Sequence, residues 1–119
     1  MISLELRAEA ERRALEDFNA VVGKELTVRM VSGYNENDDS VDVDGIPIRV
    51  TVDNTSFSLD HWVDEYLDPY WDVTPVGEYP ELAGLRSFWT FGPSYRVVDG
   101  RVEAVDNNQS VAHVEVPNV

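Results

Sequence analysis

The sequence has no cysteine, one lysine against eight arginines, and no continuous apolar run approaching the roughly 18 residues of a membrane-spanning helix. Without cysteine, the fold cannot be stabilised by disulfides or by a cysteine-ligated metal. The missing apolar run predicts that the protein does not associate with membranes. The chain of 119 residues is nevertheless long enough for one domain, 1–119, that buries roughly two-thirds of its surface.

Positive charge is scarce. Nine basic residues stand against 23 acidic ones, which gives a net charge of −14 and argues against a protein that binds nucleic acid by neutralising phosphates. Between Arg49 and Arg86 the sequence has eight carboxylates, no lysine or arginine, and six of the twelve aromatic residues. Three interpretations stay open: repulsion that favours solubility, adaptation to high salt, and a surface complementary to a basic partner.

The N-terminal residues have the spacing of an amphipathic helix. Ser3 can cap this helix, and Gly23 predicts its end near residue 22. The large apolar residues fall on one side at helical spacing, and we expect that side to pack on the domain: Leu4, Ala8, Leu15, Phe18 and Val22.

The rest of the chain predicts a mostly antiparallel sheet, which makes the protein an α+β domain with a β-rich body over 25–117. Two Asp-Gly pairs lie between alternating segments and predict two-residue hairpins, at Asp44-Gly45 and Asp99-Gly100. The first would pair Val43 with Ile46. The predicted strands cover residues 26–31, 41–43, 46–52, 86–91, 95–98, 101–105 and 111–116.

A second, short helix is predicted over 59–67. Its apolar residues recur at offsets of 0, 3, 4, 7 and 8, which places Trp62 and Tyr66 in the core. Residues 68–85 contain three prolines, two glycines and three aromatic residues, and this composition predicts an ordered loop.

No sequence motif indicates catalysis or a particular family. Residues 40–45 match the middle of a calcium-binding loop, but Ser40 and Thr51 stand where that loop needs acidic ligands. The two histidines, His61 and His113, lie in no zinc-binding pattern. We therefore expect no catalytic residue, no metal and no cofactor.

Residues 57–81, and the strand 87–91 with apolar groups on both faces, are better suited to binding another protein. Interface centres are rich in Trp, Tyr and Phe and are surrounded by polar residues. On this basis the candidate contact residues are Tyr70, Trp71, Tyr79, Phe88, Trp89 and Phe91, with Asp60, Asp64, Glu65, Asp68 and Asp72 around them.

Three functional hypotheses follow, in order of preference. The first is a non-enzymatic protein–protein interaction or assembly subunit, such as a small structural component of a virus particle or of another oligomeric complex that includes copies of the chain itself. The second is an acidic inhibitor or immunity-type protein that caps a basic nucleic-acid-binding site. The third is a small enzyme with an unrecognised carboxylate and histidine site. The expected location is the cytoplasm or a virus particle.

Overall fold

The computed structural model describes residues 4–60 and 65–105. This part of the chain forms one N-terminal helix followed by six strands, and a single 3-10 turn, Pro80–Leu82, precedes the fourth strand. The elements are α1 (Leu4–Val21), β1 (Glu25–Tyr34), β2 (Ser40–Asp60), β3 (Glu65–Pro75), β4 (Arg86–Phe91), β5 (Tyr95–Val98) and β6 (Arg101–Ala104). The α+β class predicted from the sequence is confirmed.

Four of the strands close into a ring. The sheet order is β2-β1-β4-β3-β5-β6, and β2 also pairs with β3. The first half of the long strand β2 pairs with β1 and its second half with β3, all antiparallel. Strand β4 joins β1 to β3 and completes the ring. Beyond it, the start of β3 pairs with β5, and β5 pairs with β6.

The contact that closes the ring between β1 and β4 is short. It consists of two residue pairs, Ser32 with Trp89 and Tyr34 with Arg86, and the register shifts between them. Ser87, on β4 inside this shift, has a φ of 57°. The left-handed backbone therefore accommodates an extra residue on β4 at this point.

The larger core fills the inside of the ring. Its buried members come from β1, β2 and β3, from the end of α1 and from the turn before β4: Val21, Leu26, Val28, Val31, Ile48, Val50, Val52, Trp71, Val73 and Leu82. Six of these side chains are at most 1% exposed, which makes the ring interior the tightly packed part of the domain.

A smaller core lies between α1 and the outer strands. It consists of Ala10 and Ala14 on the helix, Leu67 on β3 and Tyr95 on β5, with Phe57 and Val102 packed against it. The predicted apolar side of the helix is wrong for Leu4, which is 82% exposed, and for Leu15, which is 41% exposed, whereas Phe18 packs against the larger core. Alanines at positions i and i+4 let the helix axis approach the strands, and bulky side chains in their place would hold it away.

The Asp44-Gly45 hairpin is also wrong. Strand β2 continues through both residues, with Asp44 opposite Met30 and Ile48 opposite Val28 on β1. The register shifts between these pairs, so the positive φ of Gly45 belongs to a bulge rather than to a turn. Pairing with β1 continues on both sides of this bulge.

At Asp99-Gly100 the chain does turn. Both residues have positive φ, 51° and 73°, as a two-residue turn between twisted strands requires. Four residue pairs connect β5 and β6, from Tyr95 with Ala104 to Val98 with Arg101, which is the register that the alternation of the sequence predicts.

The short helix predicted over 59–67 is wrong, because β2 runs to Asp60 and β3 begins at Glu65, with Leu59 opposite Leu67. Much of the predicted loop 68–85 is strand as well. In β3 every second residue from Leu67 to Val73 is buried, a two-residue period that includes a proline. Tyr66 is half-buried rather than in a core. Ser3, Trp62 and the predicted strand 111–116 lie outside the described residues.

Candidate protein-interaction surface

The alternation of β3 and β4 sorts their aromatic side chains between two sides of the sheet. Trp71 and Thr90 are opposite each other and buried in the ring. Their neighbours along each strand must therefore point outward. Tyr70 faces Phe91, and Asp72 faces Trp89, on the outside of the ring.

Tyr34 joins these residues from β1. Its ring lies 4.9 Å from that of Trp89 at an angle of 46°, and the rings of Tyr70 and Phe91 lie 4.8 Å apart at 54°. Both pairs have the tilted geometry that the charge distribution of aromatic rings favours. Tyr34 is 39% exposed and the other three are partly exposed, so solvent reaches the rings. We call these four residues the outer aromatic face.

Four aspartates surround this face. The strand register places Asp42, Ser32, Trp89 and Asp72 in one row across β2, β1, β4 and β3. Asp44, two residues from Asp42 on β2, and Asp68, four residues from Asp72 on β3, extend from the same side. We call Asp42, Asp44, Asp68 and Asp72 the flanking aspartates.

Hydroxyl groups hold two of the flanking aspartates in place. The buried Ser32 donates a hydrogen bond of 2.5 Å to Asp42 Oδ1. The buried Ser94 donates one of 2.7 Å to Asp68 Oδ1. Each bond leaves the second carboxylate oxygen available to another donor, because an ionised carboxylate accepts several hydrogen bonds.

None of the flanking aspartates has a cationic partner within residues 4–60 and 65–105. The six ion pairs found there use other carboxylates: Arg7–Glu11, Arg12–Glu16, Arg49–Glu25, Arg86–Asp38, Arg96–Glu103 and Arg101–Glu103. At the end of the sheet, the hydrogen bond from Arg96 lowers the pKa of Glu103 from its ordinary value. The negative charge beside the outer aromatic face is thus uncompensated, whereas most of the arginines are paired.

The structure beneath the face is closely packed. The Thr90 hydroxyl donates a 2.7 Å hydrogen bond to the Met30 carbonyl, which ties β4 to β1. The Trp71 indole lies directly against Gly92, where an added Cβ would come within 2.5 Å of the ring. Such packing holds the outward side chains in fixed positions, which reduces the entropy lost on binding.

The candidate contact residues separate into different environments. Tyr70, Trp89, Phe91, Asp68 and Asp72 come together on the outside of the ring. Asp60 ends β2 opposite Tyr66, Glu65 begins β3 opposite Val97 on β5, and Asp64 lies outside the described residues.

Trp71, Phe88 and Tyr79 lie elsewhere. Trp71 is 2% exposed, so the expectation that it contacts a partner is corrected: the two-residue period of β3 turns it into the ring. Phe88 packs against the same core. The Tyr79 hydroxyl accepts a hydrogen bond of 2.9 Å from the backbone N–H of Arg49, which ties its segment to β2.

Tyr79 also lines a shallow groove of about 380 Å³ beside the 3-10 turn. The groove is lined by Pro75, Gly77, Glu78, Tyr79, Leu82, Ala83 and Phe88. Glu78 is its one charged residue. A groove with such apolar walls offers few groups that could orient a ligand.

Three contributors to the surface were missed by sequence reasoning. Tyr34 lay beyond the predicted strand 26–31, and Asp42 and Asp44 belonged to a predicted hairpin. All three are brought to the face by pairing with distant segments. The alternation of β1 would indicate Tyr34 as an outward residue, but only once the strand is extended to residue 34.

Residues 4–60 and 65–105 contain no group of three metal-ligating side chains, and both histidines lie outside these ranges. Burial, together with the hydrogen bond to Asp17, raises the pKa of Tyr95 to about 12, so this phenol stays protonated at neutral pH. Within the same ranges no helix is both long enough and apolar enough to cross a membrane.

Comparison with known proteins adds no relative to this description, since no family model, curated protein or solved structure matches the chain.

Proposed function

We propose that the protein is a non-enzymatic interaction subunit that binds a basic surface of another protein through the outer aromatic face and its flanking aspartates. The observation that carries this proposal is the combination of four solvent-reachable aromatic rings with four carboxylates that no cation within residues 4–60 and 65–105 neutralises. Partly exposed aromatic rings supply binding energy, and the surrounding charge selects the partner and accelerates its encounter.

A different protein is a better partner than a second copy of this chain. Two copies, each with a net charge of −14, repel each other. Most of the arginines in the described ranges already pair with carboxylates or, like Arg13, stack on an aromatic ring. The part of the chain that the structure describes therefore offers no strong basic patch that would complement the acidic face.

A basic partner is compatible with two biological settings. One is an acidic inhibitor that covers the nucleic-acid-binding site of another protein, with carboxylates in the place of phosphates. The other is an assembly, such as a virus particle, whose second component is basic. In both settings the protein acts by contact and catalyses nothing, in the cytoplasm or within the particle.

The proposal is tested by capturing proteins from an extract of the source organism on immobilised full-length chain. Two variants alter the face, Tyr34→Ala and Asp72→Asn. Two matched controls alter other surfaces: Leu15→Ala removes a side chain of similar exposure, and Glu81→Gln removes one negative charge. We expect a protein that the wild type and both controls retain and that both face variants lose.

Equal capture by all five proteins would refute the proposal. Light scattering at low and at molar salt supplies the second measurement, and a monomer is expected at both. A discrete oligomer that dissociates on Tyr34→Ala would instead identify a second copy as the occupant of the face and would overturn the proposed basic partner.

A further inference from the structure

We infer that the outer aromatic face recognises arginine side chains of the partner, with a guanidinium stacked on Trp89 and held by Asp72. This inference rests on the proposed function and specifies its chemistry. It begins from the β3–β4 register, in which Trp89 and Asp72 are directly opposite each other. Side chains at opposed positions of antiparallel strands have Cβ atoms about 5 Å apart.

This distance suits one cation that contacts both groups. A guanidinium is attracted to the face of an indole within about 6 Å of the ring centre. Its N–H groups extend from the edge of the same plane, so a carboxylate beside the ring can accept them. Asp72 is exposed, and its carboxylate has no hydrogen-bond or ion-pair partner within residues 4–60 and 65–105, so both carboxylate oxygens are available.

On the β1 side, Trp89 has a polar neighbour that is held in place. Ser32 lies opposite Trp89 on β1, is fully buried, and its hydroxyl donates a hydrogen bond to Asp42 Oδ1. The strand spacing of about 4.8 Å puts Asp42 about 10 Å from Trp89, measured across the strands. A carboxylate thus lies on either side of the indole, one within direct reach and one that adds longer-range attraction.

Arginine fits this arrangement better than lysine does. The guanidinium is planar, stacks on aromatic rings and is more weakly hydrated than an ammonium group, so it loses less solvation on a half-buried apolar face. Its fork of donors also matches the two oxygens of a carboxylate. The aromatic rings of the face can stack on the guanidinium, and the aspartates can accept hydrogen bonds from its N–H groups.

The face has room for two arginines. Phe91 lies two residues from Trp89 on β4, so their Cα atoms are separated by about 6.8 Å along the strand. Tyr70 accompanies Phe91 just as Tyr34 accompanies Trp89. An extended partner segment projects residues i and i+2 to one side with the same spacing, so arginines separated by one residue match the two ring pairs.

The test is a titration of the ¹⁵N-labelled full-length protein, followed by NMR, with the peptide acetyl-Gly-Arg-Gly-Arg-Gly-amide. Two peptides of the same length replace both arginines, one with lysine and one with citrulline, which keeps the planar shape without the charge. We expect the arginine peptide to produce saturable shifts at the Trp89 indole N–H and at the amides of β3 and β4. The lysine peptide should bind several-fold more weakly, and the citrulline peptide should cause no such shifts.

Two variants with the same net charge locate the contact. Asp72→Asn should weaken binding of the arginine peptide about two- to fivefold, because one exposed charge pair is lost. Glu81→Gln should leave the affinity unchanged. Neither substitution alters a buried side chain, so both variants are expected to fold, and their spectra report this directly.

Three results would overturn the inference: equal binding of the arginine and lysine peptides, equal effects of Asp72→Asn and Glu81→Gln, or shifts scattered over the whole acidic surface. None of them would refute the proposed function if capture of a partner still depended on Tyr34 and Asp72. Loss of that dependence would refute the proposed function even if the arginine peptide bound.

Discussion

The two cores of this protein are built in different ways. The larger core is enclosed by four strands that pair in a closed ring, and its buried members include a tryptophan and many β-branched residues. The smaller core has one helical wall that contributes two alanines, and it depends on a hydroxyl–carboxylate contact between Tyr95 and Asp17. Apolar burial therefore stabilises the ring, whereas polar groups help to hold the helix against the outer strands. The outer aromatic face lies on strands that enclose the larger core.

The largest expected effect is that of removing the tryptophan from the ring. Trp71→Ala should lower the free energy of unfolding by about 3–5 kcal/mol, because a large buried ring is replaced by a cavity. Urea denaturation followed by circular dichroism measures this change. A loss below about 1 kcal/mol would show that the ring interior does not dominate stability and would remove the contrast between the cores.

A second test adds an atom to the ring interior instead of removing a side chain. Gly92→Ala would place a Cβ within 2.5 Å of the Trp71 ring, so we expect a loss of about 1–3 kcal/mol. In the double variant with Trp71→Phe the smaller ring leaves room for the methyl group. The two losses should therefore not add in urea denaturation, and strict additivity would contradict direct contact between these residues.

The smaller core should make the free energy of unfolding depend on pH, because Tyr95 lies in it. The pKa of Tyr95 is about 12 in the folded protein and about 10 for an ordinary tyrosine, with burial as the largest cause and the hydrogen bond to Asp17 next. Between these values the unfolded chain loses the phenol proton and the folded protein keeps it, so stability falls as pH rises from about 10 to 12.

Tyr95→Phe should remove this part of the alkaline loss. At pH 8 the variant should be less stable by about 1–2 kcal/mol, because the hydrogen bond to a carboxylate is lost. The difference from wild type should shrink between pH 10 and 12 in urea denaturation. A constant difference would mean that the raised pKa of Tyr95 makes no contribution to stability.

The smallest effect on stability is expected on the outside of the ring. Tyr34→Ala should lower the free energy of unfolding by about 0.5–1.5 kcal/mol, because it removes a partly exposed side chain that forms one tilted ring pair with Trp89. Leu15→Ala on the helix is its control, since the two side chains are 39% and 41% exposed. Both variants should stay folded, while Tyr34→Ala alone loses partner binding. A large destabilisation by Tyr34→Ala would indicate a structural role for the face.

Local chemistry was predictable and distant pairing was not. The turn at Asp99-Gly100 follows from two residues that accept positive φ, and its strands pair with each other. The identical dipeptide at Asp44-Gly45 gave the wrong prediction, because β1 is a longer partner than the nearest segment and the glycine can form a bulge instead. Turn residues thus specify a backbone conformation but not the partner strand.

The candidate site shows the same limit. Composition identified Tyr70, Trp89 and Phe91, which lie together on the outer aromatic face. It could not distinguish Tyr70 from Trp71, since one residue of strand register decides which of them enters the core and Pro69 hides that register in the sequence. Asp42 reaches the face through two successive strand pairings, which local patterns do not encode.

The closure between β1 and β4 has a consequence for the motions of the protein. Only two residue pairs join these strands, against nine between β1 and β2. Opening fluctuations of the ring should therefore begin at the β1–β4 junction. The amide protons of this junction should exchange with solvent sooner than those of the other strand pairs in the ring. The rings of Tyr34 and Trp89 lie across this junction. A partner bound to the outer aromatic face would hold the two strands together, so occupancy of the surface would slow the opening of the whole ring.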